Sequence, residues 1–154
     1  MSTIFVDADA CPVKAEIYRV AERYQLKVCV VSNQPMRTPR APRIERVVVG
    51  ARFDAVDDWI AAQATHNDIV ITGDIPLAAR CLKKGARVLG PKGRVLTDDN
   101  IGEALASREL STQLRDLGIV SGGPAPFQPR DRSRFLQRLD AAVQSIGRKD
   151  LDES

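Results

Sequence analysis

The amino-acid sequence predicts a single α/β domain in which helices cover both faces of a parallel β-sheet. Short, continuously apolar segments alternate along the chain with segments whose apolar residues recur at helical spacing. The apolar segments lack the polar alternation of a sheet with one solvent face, which indicates strands buried on both faces. A chain of 154 residues is long enough for one such domain, and the sequence contains no internal repeat.

Five strands are predicted, each bounded by a turn or a polar residue. The first is followed directly by Asp7. The third is stopped by Gly50, and the fourth contains the run Ile69-Val70-Ile71 and is followed by Asp74. The predicted strands cover residues 3–6, 26–31, 46–49, 68–72 and 86–89.

Five helices are predicted between and after these strands. Pro12 suits a first helical turn, where a missing N–H costs nothing. Asp54 is suited to cap the second helix, Asp74 opens the third, and Gly85 ends the third as a C′ glycine. The fourth is capped by Asp98 or Asp99. The predicted helices cover residues 12–24, 54–64, 75–82, 98–117 and 131–146, so that the domain covers 1–147 and residues 148–154 form a frayed polar tail.

Composition and charge exclude several classes of protein. No apolar run is long enough to span a bilayer, and the N-terminus lacks the features of a signal peptide, so a cytoplasmic protein without a membrane partner is expected. Three widely spaced cysteines indicate reduced thiols. The single histidine, His66, excludes a histidine-rich metal site.

Carboxylates are the side chains in this sequence that are best placed to bind a ligand or to take part in catalysis. In a parallel sheet, ligands bind beyond the carboxyl ends of the strands. Asp7 and Asp74 follow two strands, and Asp9 lies two residues after Asp7, so these side chains meet if the strands are neighbours. Asp57, one turn into its helix, and Asp99, after the fifth strand, could reach the same edge. Asp9 and Asp99 suit helix caps or turns equally well.

Carboxylates that lie close together repel one another, and a divalent cation removes that penalty. Oxygen ligands without His or Cys favour Mg²⁺ or Mn²⁺. Such a site supports hydrolysis of phosphodiesters or phosphomonoesters, because a metal activates water and neutralises charge on the phosphoryl oxygens. The sequence therefore predicts a metal-dependent hydrolase as one reading, beside a purely structural role for these acids.

Basic segments offer contacts for a phosphate-bearing polymer. Arg37, Arg40 and Arg43 are spaced by three in a proline-rich stretch, which places them on one side of a polyproline II helix. Such a row could track phosphates, although a solvated loop explains it equally well. The further residues expected near the site or near a phosphate, each of which also suits a turn or a solvated surface, are Ser32, Asn33, Lys92, Arg94 and Arg132.

Four segments together resemble the YaiI/YqxD family of uncharacterised bacterial proteins, which is related to the PIN-like nuclease domains. The segments are VDADACPVK, NDIVITGDIPLAA, VLTDDNI, and GGPAPF followed by DRSRF, at residues 6–14, 67–79, 95–101 and 122–135. The resemblance covers nearly the whole chain. It implies a sheet of strand order 3-2-1-4-5 with helices on both faces, which makes the first and fourth strands neighbours.

The PIN-like relation also implies a set of Mg²⁺ or Mn²⁺ ligands. By position these are Asp7, Asp57, Asp74 and Asp99, and Thr72 matches the hydroxyl residue two before the third acid. The chain departs from the PIN pattern at the helix, where Glu is usual and Asp57 stands. Asp9 adds a carboxylate that many PIN domains lack.

Three functions follow as expectations. The first is a metal-dependent nuclease or phosphodiesterase acting on RNA or DNA. The second is a non-catalytic RNA-binding or regulatory module on the same scaffold. The third is a phosphatase of the haloacid dehalogenase type, since Asp7-Ala8-Asp9 resembles the paired aspartates of that family, although Cys11 stands where Thr or Val is usual.

Overall fold

The computed structural model describes residues 2–119 and 125–153, with the backbone alone for 148–153. Within these ranges the chain forms six strands and five helices. The strands are β1 (Thr3–Asp7), β2 (Lys27–Ser32), β3 (Ile44–Val48), β4 (Ile69–Ile71), β5 (Arg87–Leu89) and β6 (Val95–Leu96). The helices are α1 (Lys14–Tyr24), α2 (Ala55–Gln63), α3 (Ile75–Lys83), α4 (Ile101–Asp116) and α5 (Pro129–Glu153).

All six strands belong to one sheet of order β3-β2-β1-β4-β5-β6. The first five run parallel, and β6 pairs antiparallel with β5. This arrangement confirms the predicted α/β class and the order 3-2-1-4-5. The sixth strand was not predicted, because two residues are too short to show any periodicity.

Two apolar cores fill the space between the sheet and its two layers of helices. One face of the sheet, with Ile4, Val6 and Ile71, packs against α1 and α5. The other face, with Phe5 and Val70, packs against α2, α3 and the start of α4. Successive strand residues point to opposite faces, so burial on both sides explains why the strands are apolar without alternation.

The ends of most elements lie within two or three residues of the predicted ends. Two predictions about helix starts are wrong, because α1 begins at Lys14, after Pro12, and the residue at the N-cap of α4 is Asn100, not Asp98 or Asp99. Gly85 follows α3 with φ of +82°, the left-handed conformation that glycine adopts most readily. The last helix extends beyond the predicted end at 146 to Glu153, and the expected fraying of 148–154 stays a prediction. The predicted break at 122–126 lies mostly outside the described residues.

The register of the sheet sets which side chains share the carboxyl edge. Val6 is level with Ile71 on β4, and Ile71 is level with Leu89 on β5. The next residue along each strand, Asp7, Thr72 and Gly90 respectively, therefore lies at the carboxyl edge. In the described part of the chain, no helix has both the length and the apolar character that crossing a bilayer requires.

Candidate active site

The Thr72 hydroxyl joins two of the predicted acids at the carboxyl edge. It donates to Oδ2 of Asp7 at 2.8 Å and accepts the backbone N–H of Asp74 at 3.0 Å. These contacts follow from the adjacency of β1 and β4, which brings together residues 65 positions apart in sequence. Asp74 is also the N-cap of α3, where its Oδ1 accepts the N–H of Leu77 at 2.9 Å.

The Asp7 carboxyl lies in an environment that disfavours its charge. Burial raises its pKa above the ordinary value, the hydrogen bond from Thr72 opposes that rise, and the charges of Asp74 and Asp9 add to it. Asp7 is therefore partly buried and lies within range of the charges of two other acids, Asp74 and Asp9.

Asp57 approaches the same acids from the first turn of α2. Burial, together with the neighbouring charges of Asp74 and Asp7, raises the pKa of Asp57 to about 6, against a smaller lowering effect from Arg80. The helix is anchored by Val56 and Ile60, which are buried under the sheet. Asp57 therefore lies within range of the charges of Asp7 and Asp74.

The adjacent Asp58 is occupied by arginines. Its two carboxylate oxygens pair with Arg52 and Arg80, each at 2.9 Å. Arg52 also pairs with Asp54 at 2.7 Å, although the Asp54 side chain makes no capping hydrogen bond to α2. Asp58 is therefore committed to these arginines, whereas the pKa of Asp57 responds to Asp74 and Asp7.

Asp9 is exposed and lies in the loop after β1. Its carboxylate accepts the backbone N–H of Asn33, with a closest distance of 3.2 Å. The Asn33 side chain in turn donates to the carbonyl of Gly50 at 3.0 Å. Ser32 is buried and donates to the Gln34 carbonyl at 2.6 Å. Asn33 thus connects the acidic loop to the segment that precedes α2, whereas Ser32 fixes its own turn.

A cleft of about 340 Å³ opens between the loop after β1 and the loop after β4. Its acidic members are Asp7, Asp9 and Asp74, and Pro91 closes the side nearest β5. Ligand sites in open α/β sheets occupy this position. The remaining lining residues are Ala10, Cys11, Ile71, Thr72 and Gly73.

The donor chemistry of this cleft fits a hard divalent cation. Its charged donors are carboxylate oxygens, and the pKa values of Asp7 and Asp57 are raised first by burial and then by neighbouring acids, whose repulsion a cation would relieve. Among the described residues, no three His, Cys, Asp or Glu side chains are already arranged to hold one ion. The residues that could hold Mg²⁺ or Mn²⁺ are Asp7, Asp9 and Asp74, which line the cleft, and Asp57, which does not line it but whose pKa responds to Asp7 and Asp74.

The structure corrects the placement of Asp99. The chain reverses at the turn after β5, and β6 runs antiparallel, with Leu96 level with Val88. Thr97 is then level with Arg87, whereas Thr72 is level with Gly90, three residues farther along β5. Because strands rise about 3.3 Å per residue, Thr97 lies about 10 Å from the level of Thr72 in the direction of the amino edge. Asp99 is exposed beyond this point, toward the opposite edge of the sheet, and does not join Asp7 and Asp74.

Two of the predicted basic residues lie beside the cleft. Lys92 and Arg94 belong to the turn that follows β5, next to the cleft residue Pro91. The turn is closed by hydrogen bonds between the backbones of Gly90, Gly93 and Arg94, and Lys92 donates to the Ala125 carbonyl. The backbone of this turn therefore adjoins the cleft on its β5 side.

Other predicted basic residues lie farther away or are engaged within the fold. Arg43 precedes β3 at the amino end of the sheet and donates to Gln25 at 2.8 Å. Arg37 and Arg40 are exposed in the crossover between β2 and β3. The Arg132 guanidinium pairs with the buried Glu16 and lies 5.1 Å from the centre of the Phe127 ring, while its side chain stays 44% exposed, so its contact with nucleic acid stays a prediction.

Two residues near the site were missed by the sequence reasoning. Lys14 donates to the carbonyls of Ala8 at 3.1 Å and Cys11 at 2.8 Å, and so braces the loop that carries Asp9. Phe53 is fully exposed in the turn just before α2. The position of Lys14 about one turn after the acidic loop could have indicated its contact with that loop. An isolated Phe in a polar turn does not indicate a role from sequence alone.

The sequence is similar to a described family and to several curated proteins. A family model described as "Uncharacterized BCR, YaiI/YqxD family" matches residues 5–145. A UPF0178 protein of Azorhizobium caulinodans is 57% identical over 146 residues, which cover 95% of this chain and 92% of the relative. A UPF0178 protein of Rhodospirillum rubrum is 56% identical, covering 94% of this chain and 97% of the relative. No solved structure matches the chain.

Proposed function

The chain belongs to the YaiI/YqxD family, and we propose that it is a divalent-metal-dependent nuclease or phosphodiesterase. The observation that carries the proposal is the meeting of Asp7 and Asp74 through Thr72, with Asp57 close enough to respond to both charges. These residues come from three separate elements, and their shared position is the ligand-binding edge of the sheet.

Mg²⁺ or Mn²⁺ is the proposed cofactor, held by Asp7, Asp57 and Asp74. When bound, such a cation activates water and offsets negative charge on a phosphoryl oxygen. Two carboxylate oxygens are committed within the protein, Oδ2 of Asp7 to Thr72 and Oδ1 of Asp74 to Leu77. We assign the second oxygen of each carboxylate, together with Asp57, to the cation.

The protein's own residues position these groups. Thr72 fixes the orientation of the Asp7 carboxylate, and the start of α3 fixes that of Asp74. Arg80, which pairs with Asp58, partly offsets the repulsion that Asp57 experiences from Asp74 and Asp7. Such preorganisation is what a site that stabilises developing charge requires.

RNA or DNA is the proposed substrate because positive charge flanks the acids. Lys92 and Arg94 lie beyond Pro91 on the β5 side of the cleft. A phosphate next to the one held at the acidic edge would meet these groups, and such contacts contribute most of sequence-independent affinity for nucleic acid. Arg37 and Arg40 extend the basic surface on the β2 side in this proposal.

Incubation with 5′-labelled single-stranded RNA in Mn²⁺ tests the proposal. The wild-type protein is expected to cleave the RNA, and Asp7→Asn is expected to reduce the rate at least a hundredfold while retaining a cooperative thermal transition. Asp99→Asn is the matched control, because it removes one carboxylate at the other edge, and its rate should stay within twofold of wild type. No Mn²⁺-dependent cleavage across a broad RNA and DNA panel would overturn the proposal.

A non-catalytic nucleic-acid-binding module is the second candidate. The observation that favours it is that Asp7 and Asp74 each accept a hydrogen bond from within the protein, so these acids also have a structural role. Salt-dependent RNA binding without turnover would select this function. The haloacid dehalogenase type of phosphatase is weaker, since the Asp9 carboxylate is held by the Asn33 backbone.

A further inference from the structure

The turn between β5 and β6 lies between the acidic cleft and the start of α5. On one side of the turn, Pro91 lines the cleft, and a Cβ added to Gly90 would lie 3.9 Å from the carbonyl oxygen of Thr72. On the other side, a Cβ added to Gly93 would lie 2.7 Å from Cγ of Arg134. The first turns of α5 are therefore separated from the cleft by the thickness of one turn of the chain.

This part of the surface is rich in positive charge. Residues 90–94 and 127–135 contain five cationic side chains and a single acid, Asp131. Asp131 is buried and accepts the backbone N–H of Gln128 at 2.9 Å, so its carboxylate lies beneath the surface. The basic platform consists of the five cations, which are Lys92, Arg94, Arg130, Arg132 and Arg134.

Two members of the basic platform are held by other parts of the protein. Arg132 pairs with Glu16 and lies 5.1 Å from the centre of the Phe127 ring, although its side chain remains 44% exposed. Lys92 donates a hydrogen bond to the carbonyl of Ala125. These contacts join the segment before α5 both to α1 and to the β5–β6 turn, so the platform has a fixed position beside the cleft.

The other three members have exposed charges. Arg94, Arg130 and Arg134 are exposed, and within the described part of the chain none of the three takes part in an ion pair. Arg94 begins close to the cleft, since its Cβ would lie 3.7 Å from a Cβ added to Gly90. Exposed cations above buried acids produce a positive surface potential, which attracts a polyanion.

We propose that the basic platform binds the phosphate backbone of a nucleic-acid strand that leaves the acidic cleft across the β5–β6 turn. This inference rests on the proposed function and adds the substrate class to it, which is a polymer and not a mononucleotide or another small phosphoester. A phosphate at the acids would be followed by phosphates at Arg94 and then at Arg134. Guanidinium groups suit this role, because their planar set of donors matches the geometry of phosphate oxygens.

Backbone contacts of this kind determine which properties of the strand affect its affinity. They carry no information on base sequence, so the platform is expected to bind strands without preference for sequence. Each cation that contacts a phosphate releases counterions from the strand, so affinity falls as the salt concentration rises. The number of platform residues in contact is therefore measurable as the slope of log Kd against log salt.

Fluorescence anisotropy with a labelled 12-nucleotide oligo(dT) tests the inference. The assay contains EDTA to prevent hydrolysis and covers about 50 to 200 mM KCl. Arg134→Gln should weaken binding about fivefold and lower the salt slope by about 1, whereas Arg134→Lys should keep the slope of the wild type. Both variants retain the Cγ that packs on Gly93, so the fold of the turn is preserved.

Arg108→Gln is the matched control. It removes one exposed arginine from α4, which packs on the opposite face of the sheet from α5, and it should change neither the affinity nor the salt slope. Equal losses in Arg108→Gln and Arg134→Gln would overturn the inference, because the effect would then follow net charge alone. An unchanged affinity in Arg134→Gln, or no binding of oligo(dT) by the wild type, would also overturn it.

A 12-nucleotide chain with uncharged methylphosphonate linkages provides the second arm. If the platform contacts phosphates, Arg134→Gln should leave the weaker binding of this chain unchanged, and an equal loss on both chains would overturn the inference. Vesicles that contain phosphatidylserine provide the third arm. Arg134-dependent binding to these vesicles, together with no binding of oligo(dT), would overturn the inference in favour of a membrane surface.

The outcome is separable from that of the proposed function. Oligo(dT) binding that depends on Arg134 in a protein that never cleaves would refute the hydrolase and retain the basic platform. Mn²⁺-dependent cleavage of the 12-nucleotide strand with a KM that Arg134→Gln leaves unchanged would refute the platform and retain the hydrolase.

Discussion

Replacing Asp57 by Asn is predicted to stabilise the metal-free protein at neutral pH. The folded protein holds the pKa of Asp57 at about 6, against an ordinary value of 3.8, chiefly through burial and then through the charges of Asp74 and Asp7. A pKa rise of this size lowers the free energy of unfolding at neutral pH by at most about 3 kcal/mol. Because the side chain is only partly buried, solvent screening reduces the expected gain from Asp57→Asn to about 1 kcal/mol.

The pH dependence of this gain has a defined sign. Between about pH 4 and 6 the unfolded chain has released the Asp57 proton while the folded protein still holds it, so raising the pH through this window lowers the stability of the wild type. Above pH 6 the loss is complete. Asp57→Asn should therefore exceed the wild type most at pH 7.5 and converge with it as the pH falls toward 4.

Urea unfolding in EDTA at pH 4.5 and 7.5 measures both the size and the sign of the effect. A gain of about 1 kcal/mol corresponds to about 2–4 °C in Tm for a chain of this size. Asp99→Asn is the control, since its exposed side chain lies away from the three acids. A loss of stability in Asp57→Asn at pH 7.5, or a gain of equal size at both pH values, would refute the electrostatic reasoning.

Three further predictions concern the same edge of the sheet. Thr72→Val should lower the free energy of unfolding by about 1–3 kcal/mol in urea, because Asp7 and the Asp74 N–H lose their common partner; no loss would contradict its bridging role. Gly93→Ala should lower the free energy of unfolding by a similar amount, because φ is +91° and an added Cβ would lie 2.7 Å from Arg134 Cγ. Unchanged stability in urea would contradict this steric reasoning. Mn²⁺ at a hundred times its Kd should raise Tm by about 5–10 °C in the wild type, and a similar rise in Asp7→Asn would contradict the assignment of Asp7 as a ligand.

The sequence was informative where continuous apolar runs marked the strands. Those runs located β1 and β4, and the family resemblance placed them side by side, so that Asp7, Thr72 and Asp74 could be expected together before the structure was considered. Asp57 was expected near this edge because it lies one turn into α2 and because the PIN-like resemblance implies an acid on that helix.

The errors arose where a short element reversed the direction of the chain. Asp99 was expected at the carboxyl edge because it follows β5 in sequence, but the two-residue strand β6 carries the chain back toward the amino edge. The ion pair between Arg132 and the buried Glu16 was not predicted, because the two residues are 116 positions apart and give no local signal. Such long-range ion pairs depend on how α1 and α5 pack, which periodicity does not determine.

A crystal structure of the protein soaked in Mn²⁺ is the most direct test of the central claim, that acids from separate elements jointly bind a cation. The claim predicts an anomalous peak in the cleft, within about 2.0–2.3 Å of carboxylate oxygens of both Asp7 and Asp74. A structure in which saturating Mn²⁺ gives no peak there, or one only at other acids such as Asp99, would contradict it.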